Sequence, residues 1–213
     1  MTHVPSPNFA DLDWWRRSVV YQVYPRSFHD GNGDGTGDLL GMSHALGYLA
    51  SLGVDAVWVS PWYPSPMADG GYDVSDYCDI DPRYGTLDDA ALFVNEAHGL
   101  GLRVFIDLVP NHASSAHPLF QAALAAAPGS PEREMFIFRD GKGDDGDVPP
   151  TNWGALFGGS AWERVVEADG TPGQWYCHMF APEQPDWNWE NPAVVELFDG
   201  IVRFWLDRGI DGI

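Results

Sequence analysis

The sequence predicts an α/β protein built on a parallel sheet. Two observations carry this prediction. Three short apolar runs rich in β-branched and aromatic residues alternate with two stretches of helical spacing, and each helix returns to the next strand through only a few residues. Strand, helix, strand, helix, strand with short return links reads as successive βαβ units with right-handed crossovers.

The first strand is VVYQVY, Val19 to Tyr24, closed by Pro25. A loop of glycine and aspartate follows. Leu39, Met42, Leu46, Leu49 and Leu52 then recur at intervals of three and four, one face of a helix that Gly53 stops. DAVWVSP, Asp55 to Pro61, is the second strand. After a loop rich in Pro, Gly and Asp, Leu87 to Leu100 again has helical spacing and again ends in glycine, at Gly99 and Gly101. LRVFIDLVP, Leu102 to Pro110, is a third strand whose nearly continuous apolar centre suits burial on both faces. From Asn111 to Gln184 the rhythm breaks. This stretch is too long for a plain loop and reads as a small inserted subdomain. Helical spacing returns from Asn191 to Arg208, with Asn191 as cap and Pro192 in the first turn, and RGIDGI then starts a fourth strand. The expected organisation is residues 1–110, 111–184 and 185–213.

Composition narrows the function classes. The 213 residues carry 31 acidic and 11 basic side chains, a formal charge of −20, so nucleic acid and anionic membrane surfaces meet repulsion and are excluded as partners. A content of 45% hydrophobic residues excludes an acidic disordered chain. The two cysteines, Cys78 and Cys177, are far apart and lack CxxC spacing, which suits unpaired thiols in a reducing compartment. With no apolar run of spanning length and no basic, apolar leader in MTHVPSPNFADLDWW, the expectation is a cytoplasmic protein.

Four constellations carry chemistry. In DGNGDGTGD, oxygen-bearing side chains alternate as Asp30, Asn32, Asp34 and Asp38, with Thr36 offering a carbonyl. This spacing is that of a calcium loop, so Ca²⁺ or Mg²⁺ is expected, with an acidic helix-capping turn as the alternative. The loop departs from an EF-hand, because a strand precedes it and Gly41 occupies the position of the bidentate glutamate. DLVPNH places Asp107, Asn111 and His112 at the carboxyl end of a buried strand, where ligands bind in parallel α/β proteins. ADGGYDVSDY follows the second strand toward the same rim. Asp69 there suits a pair of sugar hydroxyls and Tyr72 suits a pyranose face. QPDWNWENP, Gln184 to Pro192, reads by itself only as a turn leading into a capped helix.

In this order the four stretches resemble the α-amylase family of glycoside hydrolases, family 13. YQVYPRSFHDGNGDGTGDL is similar to its first barrel strand and metal loop, GYDVSDY to its second loop, DLVPNH to its first conserved region and QPDWN to its fifth. QPD followed by N is similar to the oligo-1,6-glucosidase and α-glucosidase branch. The resemblance implies the N-terminal portion of a (β/α)8 barrel, with a domain B inserted after the third strand. It further implies that Asp69, Tyr72 and His112 line the subsite for the glucosyl ring being cleaved, that Asp107 organises the rim through an arginine later in the chain, and that Phe157 and Phe180 supply apolar walls. By the same resemblance Asp30, Asn32, Asp34, the Thr36 carbonyl and Asp38 form the metal loop.

The implied substrate is an α-linked gluco-oligosaccharide, and the implied activity is exo-acting hydrolysis with retention. Glucosyl transfer, as in trehalose or isomaltulose synthases, and a non-catalytic binding subunit are the alternatives. Retention needs an Asp nucleophile about 5 Å from a Glu acid/base. In the family pattern the nucleophile falls three residues beyond Ile213, so the 213 residues alone are expected to be inactive and, with an open sheet edge, unstable.

Overall fold

The structure, a computed structural model, describes residues 13–167 and 169–213. The chain divides into two compact units. Among the described residues, the first comprises 13–64, Cys78–Leu108 and Val202–Ile213, and the second comprises Ser65–Tyr77 and Val109–Ile201.

In the first unit, β1 (Val20–Val23), β2 (Ala56–Val59) and β3 (Arg103–Ile106) form a parallel sheet in chain order. The register sets Val20 against Ala56 and Ala56 against Arg103. The order has no reversal point, as in a sheet that winds one way around a barrel and unlike a doubly wound sheet. Past Gly209 the chain joins β3. Asp211 N donates to Val104 O at 2.9 Å, Ile106 N donates to Gly212 O at 3.2 Å, and Phe105 bridges Gly212 in parallel. The expected fourth strand therefore starts where the sequence places it.

A one-turn helix α1 (Pro25–Phe28) follows β1, then the acidic loop, then α2 (Leu39–Ser51). Leu39, Met42, Leu46 and Leu49 are buried, as their spacing requires. In α3 (Leu87–Gly99), Ala90, Phe93, Val94 and Ala97 are buried, and a capping box of Thr86 and Asp89 starts the helix. The chain leaves these helices at Gly53 and Gly101, with φ of 79° and 86°, conformations that a Cβ disfavours.

The second unit holds what the sequence left aperiodic. Helix α4 (Pro118–Ala125) is joined by an antiparallel sheet ordered β4 (Phe138–Arg139), β6 (Pro172–Cys177), β5 (Trp162–Val166). Its core is aromatic. Phe120 packs on Phe136, Phe138 and Tyr176, and Phe136 stacks on Trp187 at 4.3 Å. Arg133 is buried among them and makes a bidentate pair with Glu167, so its charge is matched where it is desolvated. Helix α5 (Pro192–Leu206) begins on an Asn191 cap, whose Oδ1 accepts from Ala193 N at 3.0 Å.

This division does not follow 1–110, 111–184 and 185–213. Residues 65–77 leave the sheet unit because Val74 O accepts from Ser114 N at 2.7 Å and the Tyr77 hydroxyl donates to the carbonyls of Val109 and His112. Residues 185–201 stay with the second unit because Pro185 O accepts from Ala113 N and Phe198 packs on Tyr77 and Trp187.

Gly41 illustrates how tightly the loop before α2 is built. A Cβ there would collide with the His29 carbonyl oxygen, whereas a Cβ at Gly47, later in the same helix, would meet nothing. Gly41→Ala is therefore expected to destabilise the protein by about 1–3 kcal/mol. Gly47→Ala should stabilise by about 0.5–1 kcal/mol through helix propensity. Chemical denaturation of the two variants checks the opposite signs.

Candidate ring-binding site

The loop carrying Asp69 and Tyr72 is shaped by a carboxylate that never reaches its surface. Asp73 is 0% exposed, and its oxygens accept from Ser65 Oγ at 2.9 Å, Ala68 N at 2.9 Å and Asp69 N at 3.0 Å. These bonds draw the loop around a single point and hold Met67 at a φ of 68°, a left-handed conformation costly for a side chain with a Cβ. Tyr72 N then donates to Asp69 O at 2.9 Å, closing the turn with both side chains half-buried.

Two further segments meet this loop inside the second unit. Residues 111–113 run antiparallel to residues 185–187, with His112 bridging Asp186 and Trp187 N donating to Asn111 O at 3.1 Å. The pairing carries Gln184 inside, where it is 0% exposed. Its Oε1 accepts from Ala181 N at 3.1 Å, which fixes the amide, and its Nε2 donates to Asp69 Oδ2 at 2.9 Å. The same Nε2 lies 3.0 Å from His112 Nε2. His112 is 3% exposed, with Nε2 at 3.1 Å from Tyr72 O and Nδ1 at 3.2 Å from Asn111 Nδ2. A neutral ring protonated at Nε2 donates to the Tyr72 carbonyl and accepts from the Asn111 amide at Nδ1; Gln184 Nε2, itself a donor, then packs against the ring without a hydrogen bond to it. Burial holds His112 below the usual imidazole range, against the opposite pull of the Tyr72 carbonyl and the charges of Asp69 and Asp73. Asp69, Tyr72 and His112, separated in sequence, are thus brought together.

Phe180 lies 4.9 Å from the His112 ring, and Phe157 lies 5.8 Å from Phe180. Phe157 is 64% exposed, so it is no part of the subdomain core. Asp107 belongs to the first unit, where its N donates to Val59 O and its carbonyl accepts from Tyr63 OH at 2.9 Å.

In the acidic loop, also in the first unit, side chains fold onto backbone amides. Asp30 accepts from Gly33 N and Gly35 N, Asn32 from Asp34 N, Asp34 from Thr36 N, and Asp38 from Gly31 N and Gly41 N. The Gly35 and Gly33 amides hold the Asp30 carboxyl below its usual range. These oxygens keep further lone pairs, and an all-oxygen donor set suits a hard cation. Among the described residues no three His, Cys, Asp or Glu side chains converge as a metal cluster, so a cation here would also need the Asn32 amide oxygen and the Thr36 carbonyl.

Sequence reasoning missed three groups that position the others, Gln184, Asp186 and Asp73, and named Asn111 only as part of the strand-end group. Asp186 accepts from Asn111 Nδ2 and Met179 N, both at 3.1 Å, yet burial outweighs these bonds and pushes its carboxyl up to about 6. The signal for Gln184 and Asp186 was their place where the aperiodic stretch meets the returning helix. It gave no hint of burial.

A family profile described as the alpha amylase catalytic domain matches residues 22–213. The chain is 48% identical over its whole length to trehalose-6-phosphate hydrolase of Escherichia coli, of which it covers 36%. It is 50% identical to a probable alpha-glucosidase of Rhizobium meliloti over 95% of the chain and 35% of that protein. Among solved structures it is similar to the alpha-glucosyl transfer enzyme XgtA, with a TM-score of 0.87 and 48% identity over 93% of the chain and 36% of XgtA. The chain thus spans about a third of the length of these relatives.

Two buried groups behind the site set opposing pH dependences. Burial pushes His117 down to about 4, only weakly opposed by Asp76, so its contribution to stability is complete above the unfolded value of about 6.5 and declines as pH falls toward 4. Asp186 keeps its proton in the fold up to about 6, so its contribution is present below the unfolded value near 3.8 and is lost as pH rises through 6. An NMR titration should find the His117 ring with a midpoint near 4 and the Asp186 carboxyl with a midpoint near 6. Ordinary midpoints for both would contradict this burial.

Proposed function

The chain belongs to the alpha-amylase catalytic-domain family, and from that premise we propose that the full-length protein is a retaining, exo-acting α-glucosidase that removes terminal α-linked glucose from oligosaccharides. The observation that carries the reading is that buried Gln184 touches both Asp69 and His112, whose ring in turn meets the Tyr72 carbonyl. Asp69 is a half-buried carboxylate with one oxygen anchored, which leaves lone pairs for two adjacent sugar hydroxyls. His112, neutral and locked, adds a polar ring edge beside it. Tyr72 and Phe180 supply apolar surface for the C–H faces of a pyranose and keep water off the hydrogen bonds. Binding one ring at the end of a chain is what exo-action requires. We assign the two carboxylates that would perform the displacement to the part of the full-length protein that corresponds to the remainder of its relatives. Glucosyl transfer to a sugar is the second reading, favoured by the likeness to a glucosyl-transfer enzyme.

We also propose that the protein works in the cytoplasm, on the ground that its sequence holds only two cysteines, far apart and without CxxC spacing; burial pushes the Cys177 thiol up to about 12, which makes it unreactive. Among the described residues no helix is long and apolar enough to cross a membrane. We also propose that Asp30, Asn32, Asp34, the Thr36 carbonyl and Asp38 hold Ca²⁺ or Mg²⁺, which would neutralise the loop before α2 and take no part in the reaction.

Assayed on maltose, the full-length protein should release glucose. Asp69→Asn and His112→Ala should each lower kcat/KM by about 10- to 150-fold, the worth of a hydrogen bond to a charged or buried group. Unchanged kcat/KM in both variants, or trehalose as the net product, overturns the hydrolase reading. For the loop, millimolar Ca²⁺ or Mg²⁺ should raise the unfolding temperature by a few degrees, and Asp34→Ala should abolish the rise. No shift with either ion overturns the metal proposal.

A further inference from the structure

Away from the sugar-binding residues, two histidines of the first unit stand side by side. His29 follows α1, and His44 lies in the second turn of α2. Their ring centroids are 6.2 Å apart, with the ring planes at 68°. The backbone fixes this juxtaposition. His29 O accepts from Asp38 N at 3.1 Å, and α2 comes so near that a Cβ at Gly41 would strike the same carbonyl. His44 stands three residues after Gly41 and therefore on the same helix face. Helical side chains lean over the preceding turn, which carries the His44 imidazole onto His29.

Neither ring is otherwise engaged. Both residues are exposed, and among the described residues no hydrogen bond or ion pair holds either imidazole, unlike His98 on Asp211 or His112 on Tyr72. Two imidazoles with free nitrogens, anchored on fixed backbone and open to water, can chelate. A cation about 2 Å from one nitrogen of each ring sets the ring centres about 5–6 Å apart, so a small rotation of two exposed side chains suffices. Imidazole suits Zn²⁺, Cu²⁺ and Ni²⁺, whereas Ca²⁺ and Mg²⁺ take oxygen. Among the described residues no group of three His, Cys, Asp or Glu side chains converges, so water would complete the coordination. The surroundings favour positive charge: His44 shares its groove with Asp89 and Glu96, and the loop after His29 carries Asp30 and Asp34.

We propose that His29 and His44 form a two-histidine site for a divalent transition cation of the zinc type, which clips the residue before the acidic loop to the second turn of α2. The pair shares no side chain with the oxygen donors of that loop. It also stands apart from the glucosyl reading, because Asp69, Tyr72 and His112 belong to the second unit.

Calorimetric titration of the full-length protein with Zn²⁺ is the test. Zn²⁺ should bind in the presence of excess Ca²⁺, with one equivalent that depends on the histidine pair, and should raise the unfolding temperature by a few degrees. His29→Ala, His44→Ala and the double variant should each weaken that equivalent by about 10- to 100-fold, all to the same extent, because a chelate needs both rings. Both positions are exposed, so without zinc these variants should unfold at nearly the parent's temperature, which separates a lost ligand from a lost fold. His44→Gln, polar but without a ring nitrogen, should behave as His44→Ala does. Zinc binding that survives the double variant, or single losses that merely add up to the double loss, overturns the site. Zinc displaced by Ca²⁺ or abolished by Asp34→Ala overturns it as well, by assigning the ion to the acidic loop.

Discussion

The second unit depends on one buried side chain. Gln184 is fully enclosed, and its amide touches groups 115 and 72 residues away in sequence, Asp69 and His112. A buried amide must find partners or lose the desolvation energy of each unmet group. Here the carbonyl end is met by Ala181 N and the amino end by Asp69. Three chain segments with no local reason to meet are brought to one point by that requirement. Any sequence change that leaves Gln184 unpartnered would release the loop that presents Asp69 and the ring that sits beside it.

The sheet unit was legible in the sequence because its information is local. Leu39, Met42, Leu46 and Leu49 bury one stripe of α2, and the β-branched runs align as the three parallel strands. The second unit was not legible because its strands run from two to six residues and β4 pairs with β6 across a long separation. Phe138 meets Tyr176, while β5 and β6 form a hairpin in which Val166 meets Pro172. No short window of sequence contains both Phe138 and Tyr176, and strands this short leave little period to register.

The site divides along the same line. Asp69, Tyr72 and His112 stood in recognisable stretches and are found together. Asn111 was named only as a strand-end residue, yet its amide links His112 to Asp186. Gln184 and Asp186 lay in a stretch that read as a turn. Their importance comes from an antiparallel pairing with residues 111–113, visible only in three dimensions.

Asp73 takes the argument one step further. A carboxylate at 0% exposure is tolerated because Ser65 Oγ, Ala68 N and Asp69 N satisfy it, and those donors come from the turn that Met67 strains. Charge-assisted hydrogen bonds are worth about 1.5–3 kcal/mol each, against a strain of about 1–3 kcal/mol for one left-handed residue. The balance favours the strained turn, and the turn fixes where Asp69 stands. Asp73 therefore acts on the ring site without facing it, as Gln184 does from the other side. Between them they remove most of the freedom of the Asp69 side chain, which is how a short loop comes to hold a carboxylate in one place.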